Sequence, residues 1–186
     1  MTSSKFLGLL LGCLLLASAP LRPAAALDPE NTLVLQLKDG QVLIELLPNV
    51  APKHVAQVKT LTREGFYDGI VFHRVIDGFM AQTGDPTGTG RGGSDLPDIN
   101  AEFSKEPFTR GAVGMARSQD PNSGNSQWFI CFADCTFLDG QYTLFGRVVE
   151  GMEIVDQIKK APKTLQSGMV TDPDKIITLR VLADVD

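Results

Sequence analysis

The sequence predicts a mainly β protein, a closed and largely antiparallel β-barrel capped by two α-helices, and three observations carry that prediction. Short β-rich runs recur along the chain. Only two segments show helical spacing, and they lie far apart in sequence. An Asp-Gly pair joins the first two β-rich runs as a hairpin. Many short strands with two separated helices suggest a helix-capped β-barrel.

The elements follow in order. Thr32 to Leu37 and Val42 to Leu47 are β-rich and are joined by Lys38-Asp39-Gly40-Gln41, with Asp-Gly at the turn. Pro52 opens a helix with Val55, Val58 and Leu61 on one face and Gly65 just past its end, the proline-first, glycine-last asymmetry of helices. Strands are expected at Ile70 to Ile76, Phe79 to Gln82, Val113 to Ala116 and Gln127 to Phe132. A long connection rich in Gly, Pro and Asp runs from Pro86 to Arg110. Another strand is expected within Tyr142 to Val149. The second helix covers Met152 to Lys160 with Ile154, Val155 and Ile158 as its apolar face, and Ile176 to Leu182 is the last strand.

At 186 residues the chain has room for one ordinary domain and a leader. Residues 1–26 read as a secretory signal peptide: Lys5 gives the charged start, Phe6 to Ala17 the apolar stretch, and Ala24-Ala25-Ala26 the small-residue cleavage site. The domain is then 27–186. That apolar stretch is short for a bilayer span, and no second run is long enough, so no membrane association is expected after leader removal. Lys5 and Arg22 are the only charges before Leu27, so cleavage takes the net charge from −5 to −7. An acidic chain without basic runs excludes nucleic acid as an expected partner.

Cys13 leaves with the leader. Cys131 and Cys135 do not make a disulfide framework, and free thiols are the expectation. With only His54 and His73 elsewhere, C-x3-C lacks zinc-ligand spacing, so no metal is expected. Gly88-Thr89-Gly90-Arg91-Gly92-Gly93 matches G-x-G-x-x-G, but Ser94-Asp95-Leu96-Pro97 follows instead of a helix, so a flexible loop is favoured over a dinucleotide site.

The run Phe72-His73-Arg74-Val75-Ile76-Asp77-Gly78-Phe79-Met80-Ala81-Gln82-Thr83-Gly84-Asp85 sets a cation among apolar neighbours. Strand alternation puts Phe72, Arg74 and Ile76 on one face and His73, Val75 and Asp77 on the other. Together with Ser123-Gly124-Asn125-Ser126-Gln127-Trp128-Phe129-Ile130-Cys131 and Phe137-Leu138-Asp139-Gly140-Gln141-Tyr142-Thr143-Leu144-Phe145-Gly146, it resembles the cyclophilin-type peptidyl-prolyl cis-trans isomerases. The three runs occur in family order, from about Thr32 to the C-terminus. The resemblance sets the strand count at eight and implies a cofactor-free isomerase of X-Pro bonds with proline-containing polypeptides as partners.

It further implies that Arg74 is the catalytic arginine. Phe79, Met80, Phe129 and Leu138 would form the proline pocket. Gln82 and Gln127 would anchor the substrate backbone, while Ala116 and the main chain of Arg117 line the groove floor. The residues themselves suit these roles, since guanidinium stays charged and presents several N–H groups in one plane. His73 reads as a satisfied structural histidine on the opposite face.

Phe137 and Tyr142, also at the pocket, stand where many members carry Trp and His, and Trp128 where Phe is usual; Arg117 and Ser118 also depart from the commonest residues. Reduced affinity for cyclosporin and an altered flanking-residue preference are the expectations. The leader and the compact Gly84-to-Phe103 loop resemble bacterial members, which favours export to a periplasm over a eukaryotic secretory or organellar lumen. A monomer is expected. The rival reading is a non-catalytic proline-peptide-binding module or chaperone.

Overall fold

The computed structural model describes residues 27–185, so the expected leader, its cleavage site and Cys13 lie outside the described residues. Eight strands form one antiparallel sheet: β1 Thr32–Leu37, β2 Gly40–Leu46, β3 Arg74–Ile76, β4 Met80–Thr83, β5 Ala112–Met115, β6 Trp128–Cys131, β7 Leu144–Glu150 and β8 Thr178–Val181. Their order across the sheet is β3-β4-β6-β5-β7-β2-β1-β8.

The sheet is an open half-barrel, contrary to the closed barrel expected. Among the described residues, the segment that precedes β8 meets β3 and the residues before it through the isolated bridges Val71↔Lys175 and Arg74↔Met169 and scattered backbone hydrogen bonds, not through a ladder. The reason lies in the segment facing β3: Asp172 adopts φ 52 and Pro173 has no N–H to donate, so no continuous ladder forms there. The strand expected from Ile70 therefore begins only at Arg74. Phe72 is fully buried in the main core, off the face that carries Arg74.

The helices are α1, Pro52–Arg63, and the single turn α2, Met152–Val155. Proline occupies the start of α1, and its end is a Schellman closure: Phe66 N–H donates to Leu61 O and Gly65 N–H to Thr62 O, both at 3.0 Å, with Gly65 at φ 71. No local side chain caps the N-terminus of α1. Glu102, from the long connection, accepts the Lys53 and His54 amides at 3.1 Å and meets His54 Nδ1 at 2.7 Å. A carboxylate there satisfies orphan donors and is stabilised by the positive end of the helix dipole.

The second helix is shorter than Met152 to Lys160 because the chain must reach back to the sheet, where Ala161 N–H donates to Val75 O at 3.0 Å before Pro162. In the first hairpin Leu37 faces Gly40, so the turn residues are Lys38 and Asp39 and the Asp-Gly pair straddles its end.

Two apolar clusters result. The main core holds α1, β1, β2 and Trp128; a second holds Met80, Phe108, Phe129, Cys131, Cys135, Leu138 and Leu144. Alternation along β6 sends Trp128 to the first and Phe129 to the second. Both cysteines of the second cluster are buried and free, and burial pushes the Cys131 thiol up. Among the described residues no helix is long and apolar enough to cross a membrane, and no cluster of three or more His, Cys, Asp or Glu could hold a metal.

Candidate active site

The groove lies over the second cluster. In the β3-β4-β6 ladder Arg74 pairs with Gln82 and Gln82 with Phe129, so three predicted site residues form one row across three strands. An apolar cleft of ≈ 270 Å³ opens there, lined by Arg74, Phe79, Met80, Gln82, Ala116, Arg117, Phe129, Phe137, Leu138 and Tyr142. Of the predicted site residues only Gln127 is not in its wall, and it is the next link in a chain of amides.

That chain has a defined polarity. Arg74 only donates, so the oxygen of Gln82 faces it: Nη1 reaches Gln82 Oε1 at 3.2 Å. Gln82 Nε2 then donates to Gln127 Oε1 at 2.9 Å, and Gln127 Nε2 to the Gly92 carbonyl at 2.8 Å. Arg74 Nε donates to Ser167 O at 3.0 Å, on the far side. Held at two points, the guanidinium is fixed at the cleft while Nη2 makes no hydrogen bond among the described residues. Burial pulls the Arg74 pKa down, yet guanidinium starts so high that it remains charged.

The apolar wall is aromatic. Phe129 stacks on Phe108 with centroids 6.0 Å apart and meets the edge of Tyr142 at 5.9 Å. Phe137, 63% exposed, leans on Phe79 at 5.3 Å from the 3-10 turn Thr136–Leu138. Leu138 points inward from the same turn and is buried. At the groove floor, the Ala116 N–H donates to Gln127 O at 2.9 Å and so is not free for a ligand. The amide and carbonyl of Arg117 carry no hydrogen bond among the described residues, which leaves them as the β-type groups of the floor.

His73 lies beneath the 88–90 loop on the buried face. Neither ring nitrogen has a protein partner among the described residues, so it is structural but not satisfied as expected. Burial lowers its pKa and keeps the ring neutral.

Sequence reasoning missed Asp85. It is buried and accepts Thr87 N–H and Oγ1 at 2.8 Å, Thr89 N–H at 3.0 Å and Gly90 N–H at 2.6 Å. Burial alone would raise its pKa; these donors outweigh it and hold the carboxyl at about 2. The glycine-rich segment is thus a loop organised around one carboxylate rather than a flexible one, and it delivers the Gly92 carbonyl to Gln127. The signal in the sequence was Asp85-Pro86-Thr87-Gly88, an Asx-turn composition. Ser167, which holds Arg74 through its carbonyl, left no side-chain signal to find.

The site thus sets a charged donor, held by Ser167 O and Gln82 Oε1, at a cleft walled largely by apolar side chains. Among the described residues the cleft has no nucleophile–base pair. Residues 32–181 match the family described as cyclophilin type peptidyl-prolyl cis-trans isomerase/CLD. The chain is 57% identical over 180 residues to a probable peptidyl-prolyl cis-trans isomerase of Brucella suis, covering 91% of each. It is 42% identical over 147 residues to an isomerase of Schizosaccharomyces pombe, covering 77% of this chain and 94% of that one. Among solved structures it is similar to the cyclophilin AquaCyp293 of Hirschia baltica, with TM-score 0.76 and 29% identity over 86% of this chain and 77% of that one. It is also similar to a Cryptosporidium parvum cyclophilin crystallised in the presence of the dipeptide Ala-Pro, with TM-score 0.73 and 28% identity over 81% and 98%.

The chain therefore belongs to the cyclophilin-type peptidyl-prolyl cis-trans isomerases and is an enzyme of that activity.

Proposed function

We propose that this isomerase accelerates folding of exported proteins outside the cytoplasm, in a bacterial periplasm, by rotating X-Pro bonds through an Arg74-centred mechanism. The barrier to rotation is about 18–20 kcal/mol because resonance gives the amide C–N bond double-bond character. No covalent step is required. The cleft of Phe79, Met80, Phe129 and Leu138 holds the prolyl ring, and the Arg117 main chain with Gln82 and Gln127 holds the flanking backbone. As the prolyl nitrogen pyramidalises, its lone pair leaves resonance and accepts from Arg74. The observation that carries this is the two-point restraint of Arg74 by Gln82 and Ser167, since a donor ordered beforehand needs no reorganisation in the transition state.

The Ala-Pro dipeptide supplied to the similar Cryptosporidium cyclophilin supports a prolyl ligand. The Lys5, apolar-run and Ala24-Ala25-Ala26 order supports export. Replacement of Trp and His by Phe137 and Tyr142 supports reduced cyclosporin affinity with proline binding retained, and the protein acts as a monomer without cofactor.

Two measurements test the reading. Exchange NMR on a short X-Pro peptide with catalytic amounts of the 27–186 chain should show accelerated cis/trans exchange; binding without exchange would favour the non-catalytic module instead. N-terminal sequencing of a periplasmic fraction should begin near Leu27, whereas an intact Met1 in a membrane pellet would refute export.

A further inference from the structure

The arginines of this chain divide by location. Arg63, Arg110, Arg147 and Arg180 each hold a carboxylate at 2.7 to 3.1 Å. Among the described residues Arg74, Arg91 and Arg117 hold none, and these three line the groove. In a chain with net charge −5, the unpaired guanidiniums are gathered where substrate binds.

Two of them face a second cleft. It measures ≈ 580 Å³, shares Gln82, Ala116 and Arg117 with the apolar cleft, and extends past Gln127 to Arg91, Asp98 and Asn125. Among the described residues Asp98 is the only carboxylate in its wall, and its Oδ1 is engaged by Asn125 Nδ2 at 2.9 Å. Arg117 is held without losing its charge: Nε and Nη2 donate to Gln141 O at 3.3 and 3.1 Å, Nη1 donates to Ser118 O at 2.9 Å, and the guanidinium carbon lies 4.4 Å from the Tyr142 ring centroid. Three of its five N–H groups are engaged by neutral oxygens, which leaves two for a ligand. A planar cation stacked on an aromatic face is already ordered, so a carboxylate that meets it costs little further entropy.

We propose that this second cleft is a subsite for an acidic side chain flanking the substrate proline, with Arg117 the specificity-determining residue and Arg91 its support. The proposal rests on the isomerase reading, because the second cleft is reached by the same peptide that fills the first. The favoured substrates are X-Pro segments with Asp or Glu within a few residues of the proline, and basic segments are disfavoured.

The test is a peptide series carrying Glu, Ala or Lys at each of three positions on either side of one X-Pro bond, with kcat/KM read by exchange NMR. At one or two adjacent positions on one side Glu should exceed Lys by about three- to tenfold, the range for partly exposed ion pairs. That ratio should fall toward one at ~0.5 M salt, where screening is strong. It should also fall in Arg117→Gln combined with Arg91→Gln, while Arg117→Lys, which keeps charge but loses the stack, retains part of it. The salt series uses the unaltered protein, so the test survives a variant that fails to fold. Equal kcat/KM for Glu and Lys at every position, with the Ala peptide turned over, would overturn the subsite and leave the isomerase intact. Absence of turnover for every peptide would overturn both.

Discussion

Gly114 lies opposite Phe129 in the β5-β6 ladder, and a methyl group there is predicted to disable the apolar cleft from below. A Cβ at Gly114 would stand 2.5 Å from Phe129 Cζ and 2.6 Å from Phe108 Cε1. Carbon atoms prefer roughly 3.5–4.0 Å, so both rings must retreat by about 1 Å. Phe108 is buried and Phe129 is stacked against it, with Tyr142 at its edge, so the free direction for Phe129 is into the 270 Å³ cleft. Overpacking of this kind costs about 1–3 kcal/mol. For a domain of this size that corresponds to roughly 2–12 °C in Tm. Gly114→Ala should therefore lower Tm by that amount and, in protein still folded at 25 °C, raise KM for an X-Pro peptide more than it lowers kcat, because ring binding suffers before Arg74 is disturbed. Scanning calorimetry with exchange NMR measures both. An unchanged Tm together with unchanged KM would show that the close ring packing beneath the cleft does not shape it.

Further expectations concern the loop and the rim. The Asp85 carboxyl, depressed to about 2, contributes stability that is present above the unfolded value near 4 and is lost as pH falls through the folded one. The contribution is roughly 2 kcal/mol at neutral pH. Asp85→Asn should lose it at pH 7, and the stability gap to wild type should close between about pH 4 and pH 2 in parallel urea titrations; a gap that persists at pH 2 would contradict the assignment. Phe137→Trp should tighten cyclosporin by about 1–2 kcal/mol through added area and an indole N–H, with kcat/KM on a small peptide nearly constant. Titration calorimetry alongside the peptide assay reads both effects, and a parallel change in turnover would refute their separation.

The groove was legible because its chemistry sits in side chains within three contiguous runs. Alternation along β6 sets Phe129 against Trp128, and the apolar side chains of those runs meet in one wall, whereas the hydrogen-bonded chain from Gln82 through Gln127 to Gly92 emerges only in the folded protein. Closure of the barrel was not legible. It depends on whether residues 168–176 can ladder with 70–76, a long-range pairing that Asp172-Pro173 interrupts, while the run Ile70 to Ile76 read alone looks like a full strand. The supports of the site were hidden for a related reason. Ser167 holds Arg74 through its carbonyl, and Gly92 holds Gln127 in the same way, so nothing in their side chains announces them. Asp85 and Glu102 act by accepting backbone N–H groups, which spacing does not distinguish from ordinary surface acids. Arg117 was placed at the groove, but its stack on Tyr142 emerges only when the 139–142 loop folds beside the end of β5.

The proposed mechanism stands most directly on Arg74. Its side chain is partly exposed and donates to Ser167 O and Gln82 Oε1, with a long contact of 3.9 Å to Met80 Sδ, so Arg74→Ala should lower stability by only about 0.5–1.5 kcal/mol. Loss of a charged donor to the transition state should instead cost about 3–4 kcal/mol, a fall of roughly 10²–10³-fold in kcat/KM. Arg74→Lys should recover little, because an ammonium cannot engage Ser167 O, Gln82 Oε1 and the prolyl nitrogen from one plane. Exchange NMR on a single X-Pro peptide, with thermal melts of the same samples, makes the comparison. Near-native melting with catalysis largely lost is the predicted result; near-native melting with kcat/KM within a few-fold of wild type would contradict the role given to Arg74.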